Sequence, residues 1–249
     1  MKPFAKNFPF ILQATILAAC WIPILAINNG IPSDITKEPW TVGIINKTQG
    51  FCGGAILSPN FVVTAASCVN ENQASDIKVH YGGTDRTYGF KEAMVKTIYK
   101  FAKYDPKTLE NDIALLEIEG KLDLDQLTSK KIELPDQNYC PKKDEMVLVS
   151  GWGAQEYNPH LSNVLKAANF TVRDNRKCNP KWITENHFCA GGFGVALEYG
   201  DNGDPGVENG KLVGLGMWRS DLYSSSEDPS IFLCIGYFVD WILKIIHIK

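Results

Sequence analysis

Apolar runs long enough to cross a bilayer are missing from this sequence. The nearest, Ala14 to Ala26, falls short of the ~20 residues a span needs, and Pro9, Gln13 and Pro23 interrupt the segment that holds it. A surplus of positive charge is missing too: 25 Lys and Arg stand against 28 Asp and Glu, a formal net charge of −3. That balance argues against nucleic acid or an anionic membrane as the main partner. There is no internal repeat and no low-complexity tract. With 45% of its residues hydrophobic, the chain is expected to bury a full core in one or two domains rather than to stay disordered.

The first 26 residues carry Lys2 and Lys6, no acid, and then an apolar run ending in Leu25-Ala26. This is the pattern of a secretory signal, residues 1–26, with Ile27 as the first mature residue. Export places the chain outside the cell, where cysteines pair. Cys20 leaves with the signal, and six remain: Cys52, Cys68, Cys140, Cys178, Cys189 and Cys234. They predict three disulfides, although six cysteines allow fifteen pairings by count alone. Asn46-Lys47-Thr48 and Asn169-Phe170-Thr171 are glycosylation sequons, which matter in an exported chain.

Helical periodicity is scarce. Short segments of strand composition follow one another instead: 40–46, 51–57, 61–66, 77–81, 93–100 and 113–118, then 146–150, 166–173, 187–190, 211–218 and 230–238. Gly, Asn, Asp or Pro separates most of them, as in β-sandwiches and barrels. The exception is 237–249, where Tyr237, Trp241, Ile242, Ile245 and Ile246 recur at helical spacing and predict a helix packed on the core. Charge-rich Glu119 to Asn138 lacks β alternation and reads as a connection between two domains, 27–134 and 135–249. Gly200-Asp201-Asn202-Gly203-Asp204-Pro205-Gly206 reads as a turn-rich, solvated loop, with Asn202-Gly203 as a hairpin signal.

Five stretches in order change the reading of that loop. They are Phe51-Cys52-Gly53-Gly54, Thr64-Ala65-Ala66-Ser67-Cys68, Asn111-Asp112-Ile113-Ala114-Leu115-Leu116, Ser150-Gly151-Trp152-Gly153, and the loop itself. Together they resemble the chymotrypsin/trypsin family of serine proteases over the whole chain from Ile27. More narrowly, the pattern of losses resembles the inactivated serine-protease paralogues of parasitic mites, a group that interferes with host complement. The fold implied is all-β: two antiparallel six-stranded β-barrels with the active site between them, and a C-terminal α-helix.

Peptide hydrolysis in that family uses a serine nucleophile, a histidine base and an aspartate that orients the histidine. At the matching positions this chain has Asn202, Ser67 and Asp112. A serine hydroxyl is no general base near neutral pH, and an amide is no nucleophile. The four histidines, His80, His160, His187 and His247, lie outside these motifs. His160, in the loop after Ser150-Gly151-Trp152-Gly153, is the least remote substitute. Gly200 and the backbone of residue 202 keep the oxyanion-hole positions.

The resemblance also assigns Ala196 to the base of the specificity pocket. Met217-Trp218-Arg219 stands where the family has Ser-Trp-Gly, so Arg219 is expected to obstruct substrate pairing. Two bridges are matched, Cys52–Cys68 and Cys178–Cys189. Two others are gone, replaced by Glu198 with Leu222 and by Val147 with Glu208. Cys140 and Cys234 are expected to pair. Ile27 and Asp201 match the amine and carboxylate that join on activation, and signal cleavage itself is expected to free that amine. No cofactor or metal is implied. The expected protein is a secreted, monomeric, non-catalytic binder of extracellular proteins, host complement components among them. The alternatives are a residual serine-type endopeptidase and a decoy for protease inhibitors.

Overall fold

The computed structural model describes residues 27, 29–47, 50–154, 160–178, 183–192, 194–217 and 228–248. Six strands form a closed barrel: β2 (Thr41–Asn46), β3 (Gly50–Ser58), β4 (Phe61–Thr64), β5 (Ile77–Tyr81), β6 (Lys91–Lys100) and β7 (Ala114–Ile118). They close in the order β2-β3-β4-β7-β6-β5. The second sheet joins β1 (Ile31–Pro32) to β8 (Met146–Gly151), β9 (Lys166–Thr171), β10 (His187–Gly191), β11 (Pro205–Glu208), β12 (Lys211–Met217) and β13 (Pro229–Cys234). Its order is β1-β9-β8-β11-β12-β13-β10.

This second unit differs from a plain six-stranded barrel in two ways. It takes a seventh, two-residue edge strand from β1, and it curls shut through a single bridge, Val172 to Ala190, supported by Arg173 N donating to Cys189 O at 2.7 Å. Two strands have no clear signature in the sequence. β1 is too short to show a period. β11 begins inside the segment read as a solvated loop, and its hairpin to β12 turns at Asn209-Gly210, both with positive φ (49° and 77°), rather than at Asn202-Gly203. Two positive φ values match the twist of a tight hairpin.

Several strands are apolar on both faces because each face meets a different core. In β4, Val62 points into the first barrel while Phe61 and Val63 point out of it. In β13, Phe232 and Cys234 fill the second barrel while Ile231 and Leu233 join Phe61 and Val63 in a shared cluster between the two. That shared cluster also takes Met217, Leu109 and Ile113, and it positions the site. Burying a Leu, Ile or Phe side chain contributes roughly 1.5–3 kcal/mol each, so the interface is part of the core.

The chain ends in a 3-10 turn, Ile235–Phe238, followed by α1 (Val239–Ile248). Ile242, Ile245, Ile246 and Trp241 pack on the shared cluster as their spacing predicts. Tyr237 does not: it lies in the tighter 3-10 turn and is exposed, and Phe238 takes its place, edge-on to Phe101 at 5.1 Å. The segment 119–138 runs first along the first barrel, with Leu122 N on Pro59 O and Ile132 N on Ile56 O. It then crosses to the second barrel, where Leu212 N donates to Glu133 O. All three disulfides are present: Cys52–Cys68, Cys140–Cys234 and Cys178–Cys189.

Candidate functional site

The short 3-10 helix Ala66–Val69 leaves β4 carrying Ser67, and the Cys52–Cys68 bridge ties it back to β3. Asp112 lies just before β7, wholly buried. The two meet twice: Ser67 N donates to Asp112 Oδ1 and Ser67 Oγ donates to Asp112 Oδ2, both at 2.7 Å. Asn202 completes the row, its Nδ2 donating to Ser67 Oγ at 2.6 Å. The three positions that the motifs single out are thus brought together, 135 residues apart at the extreme.

The direction of these bonds follows from the groups. A carboxylate only accepts, so the Ser67 hydrogen goes to Asp112, and the hydroxyl oxygen accepts from the Asn202 amide. No imidazole takes part in the bonds of Asp112. His80 stacks on Phe90 at 3.8 Å and meets Glu92 at 3.0 Å, and His187 is buried against Thr184. His160 and His247 are exposed. Burial pushes the Asp112 carboxyl up to about 6, against the lowering effect of its two bonds from Ser67. The row can hold and orient a hydrogen bond, but it lacks both the imidazole base and the serine nucleophile that the family carries at the positions of Ser67 and Asn202.

The loop 200–206 is not solvated, contrary to its composition. Asp201, Gly203, Asp204, Pro205 and Gly206 are all buried. Backbone bonds tie it to both barrels: Gly53 N donates to Asn202 O, Gly203 N to Gly216 O, and Gly216 N to Asp204 O, each at 2.8 Å. Gly200 keeps a positive φ of 95°, with a Leu161 methyl 2.3 Å from where a Cβ would sit.

Asp201 has other partners in this structure than the Ile27 amine. Gly153 N and Glu198 N donate to its two oxygens at 2.8 and 2.9 Å, and its carboxyl faces that of Asp204. The nitrogen of Ile27 is a peptide nitrogen here, while its side chain is wholly buried in the second barrel beside Leu197 and Val149. Asp204 is the site residue that motif reading missed. It occupies the fifth position of Gly200–Pro205, where the family's Gly-Asp-Ser-Gly-Gly-Pro has glycine, and that mismatch was the available signal.

Among the cleft positions, Ala196 is buried, and Met217 packs in the shared cluster with Leu109 and Ile113, on either side of Asp112 in sequence. Trp218, Arg219 and Leu222 lie outside the described residues, and so does the signal segment 1–26. Of the lost bridges, Val147 fills the second barrel's core, Glu208 accepts from the Tyr139 hydroxyl, and Glu198 is buried. The Asn46 sequon needs correction. Its side chain is buried, Nδ2 donating to Cys68 O at 2.8 Å and Oδ1 accepting from Gly50 N at 3.0 Å, so the folded chain holds this amide inside the first barrel, while Thr48 lies outside the described residues. Asn169 is exposed on β9. Among the described residues, no three His, Cys, Asp or Glu side chains gather to hold a metal ion.

Comparison with known proteins agrees with this geometry. The Trypsin family profile matches residues 27–242. Trypsin Blo t 3 of Blomia tropicalis is 31% identical over 214 residues, covering 82% of this chain and 80% of that protein. Among solved structures, the scabies mite inactivated protease paralogue S-D1 is 44% identical with a TM-score of 0.84, over 90% of this chain and 97% of that one. The paralogue S-I1 is 38% identical with a TM-score of 0.80, over 88% and 99%. A row of Ser67, Asp112 and Asn202 between two β-barrels, in a chain so matched, belongs to a member of the trypsin family.

Proposed function

We propose that this trypsin-family chain is a secreted, non-catalytic protein that acts by binding other proteins. The observation that carries the reading is the row Asn202 Nδ2 to Ser67 Oγ to Asp112 Oδ2, at 2.6 and 2.7 Å, in the place of a catalytic triad. Loss of such groups costs up to roughly a millionfold in turnover, and the ~10³–10⁴ left to an oxyanion hole is of no use when nothing generates the oxyanion. Two structural neighbours, themselves described as inactivated protease paralogues, support it. The partner class follows the resemblance to mite paralogues: extracellular host proteins, with complement components first.

Two experiments test the reading. A fluorophosphonate probe, which labels activated serines, should leave the protein unmodified; covalent labelling at Ser67 or next to residue 202 would restore the endopeptidase alternative. Immobilised protein exposed to host serum should retain complement components and slow complement-dependent lysis. Retention of protease inhibitors instead would favour the decoy, and retention of nothing above background would defeat the binding role.

A further inference from the structure

Directly behind Asn202, the side chain of Asp204 is wholly buried where the two barrels meet. β3 and β8 face it with bare backbone. A Cβ on Gly53 would lie 1.7 Å from Asp204 Oδ1, and a Cβ on Gly151 would lie 1.7 Å from Oδ2. The carboxyl therefore fills a slot that two glycines, one from each barrel, leave open. Neither of its oxygens accepts a hydrogen bond from any described N–H or O–H. Its neighbour in charge is another acid, Asp201, itself fully buried.

Two ionised carboxyls side by side in a fully buried interface, one of them with no donor among the described residues, are too costly to persist. A buried charge that lacks a partner neutralises instead. The partners decide which acid keeps the charge. Asp201 receives two backbone N–H donors, from Gly153 and Glu198, which favour its ionised form; Asp204 receives none.

We propose that Asp204 is held as a neutral carboxylic acid that donates its proton to the Asp201 carboxylate, forming a proton latch within loop 200–206 that sits in the slot between the two barrels. The step is a simple acid–base equilibrium: the O–H bond of Asp204 persists, and on deprotonation the proton passes to solvent and leaves two facing carboxylates. Among the described residues, the charges acting on the pair are their own and that of Glu198 just before the loop; β3 and β8 contribute glycines. Asp112 titrates separately, in its row with Ser67.

Burial raises both carboxyls above their ordinary range; repulsion from Asp201 adds to it at Asp204, and repulsion from Glu198 adds to it at Asp201. The folded chain thus binds more protons than the unfolded one above about pH 4, so the latch contributes its stability in acid and loses it as pH rises through the folded values. The latch does not depend on catalysis or on any binding partner.

Infrared difference spectra of the full chain in D₂O, titrated from about pH 5 to about pH 8, read the proton directly. A carboxylic-acid carbonyl band should persist near pH 8, vanish in Asp204→Asn and survive in Asp112→Asn. Absence of that band in the unmutated protein near pH 8 would overturn the latch without any variant having to fold. Persistence of the band in Asp204→Asn would assign the proton elsewhere and overturn it too. Asp204→Gly, which restores the smaller family residue, should also flatten the fall in urea midpoint over the same range; an unchanged fall would count against the proposal.

Discussion

Asn202 Nδ2 donates to Ser67 Oγ at 2.6 Å, which commits the serine oxygen from one side while Asp112 takes its hydrogen from the other. Ser67, Asp112 and Asn202 therefore form one hydrogen-bonded row at the position of the family's triad. Satisfied buried networks of this kind stiffen the structure around them, and breaking one partner exposes the rest to an unmet bond.

Restoring the two lost groups is expected not to restore hydrolysis. In Ser67→His with Asn202→Ser, Met217 still packs beside Ile113 where the family has serine, and the pocket bridge is still replaced by Glu198 and Leu222. Peptide substrates should remain uncut by the double variant; robust cleavage would show that the cleft had stayed open. Ser67→Ala alone should cost about 1–3 kcal/mol in urea unfolding, because it removes the hydroxyl bond to the buried Asp112 carboxyl and the acceptor of the Asn202 amide bond.

The Asp112 carboxyl, pushed up to about 6 by burial, sets a sign for pH. Its folded value lies above its unfolded one of about 3.9, so its contribution to stability is full below about pH 4 and lost as pH rises through about 6. Asp112→Asn keeps the shape and removes the titration. Urea midpoints between about pH 4 and about pH 6.5 should fall less in this variant than in the parent; an equal fall would place the titration elsewhere.

Gly151 has no room for a methyl group while Asp204 is present, since its Cβ would sit 1.7 Å from a carboxyl oxygen. Gly151→Ala should destabilise by about 1–3 kcal/mol, the usual cost of overpacking. Combining it with Asp204→Gly should recover much of that loss, and a double-mutant cycle by urea denaturation measures the coupling. Strict additivity would mean that the two side chains do not compete for the slot.

The two sequons should behave differently in protein secreted from eukaryotic cells. Asn169 is exposed on β9 and should carry the glycan, whereas Asn46 is spent on Cys68 O and Gly50 N. Mass spectrometry before and after glycosidase should show one occupied site, lost in Asn169→Gln. Asn46→Gln should leave the mass of the glycan unchanged and lower stability by about 1–3 kcal/mol, as expected for a buried bonded amide.

Much of the fold is legible in the sequence because strands advertise themselves locally. Ile77–Tyr81 has the same bounds in the pattern as in the structure, and most other strands differ only at their ends. The two missed strands each lacked a local signal: β1 has two residues, and β11 starts with Pro205 inside a run of turn formers. Apolar strands such as β4 carried no alternation because both faces are buried, in different cores.

The order of five motifs and the identity of Ser67, Asp112 and Asn202 were enough, without coordinates, to place the chain in its family and to show that the family's histidine and serine are replaced at its site. Those are properties of residue type, and residue type is what a sequence states. The tertiary structure alone decided that Asn202 reaches Ser67, that Asn46 is spent inside the first barrel, and that Asp204 lies buried against two glycines beside Asp201. Each of these depends on segments distant in sequence meeting in space, where burial rather than composition determines what a polar group can do.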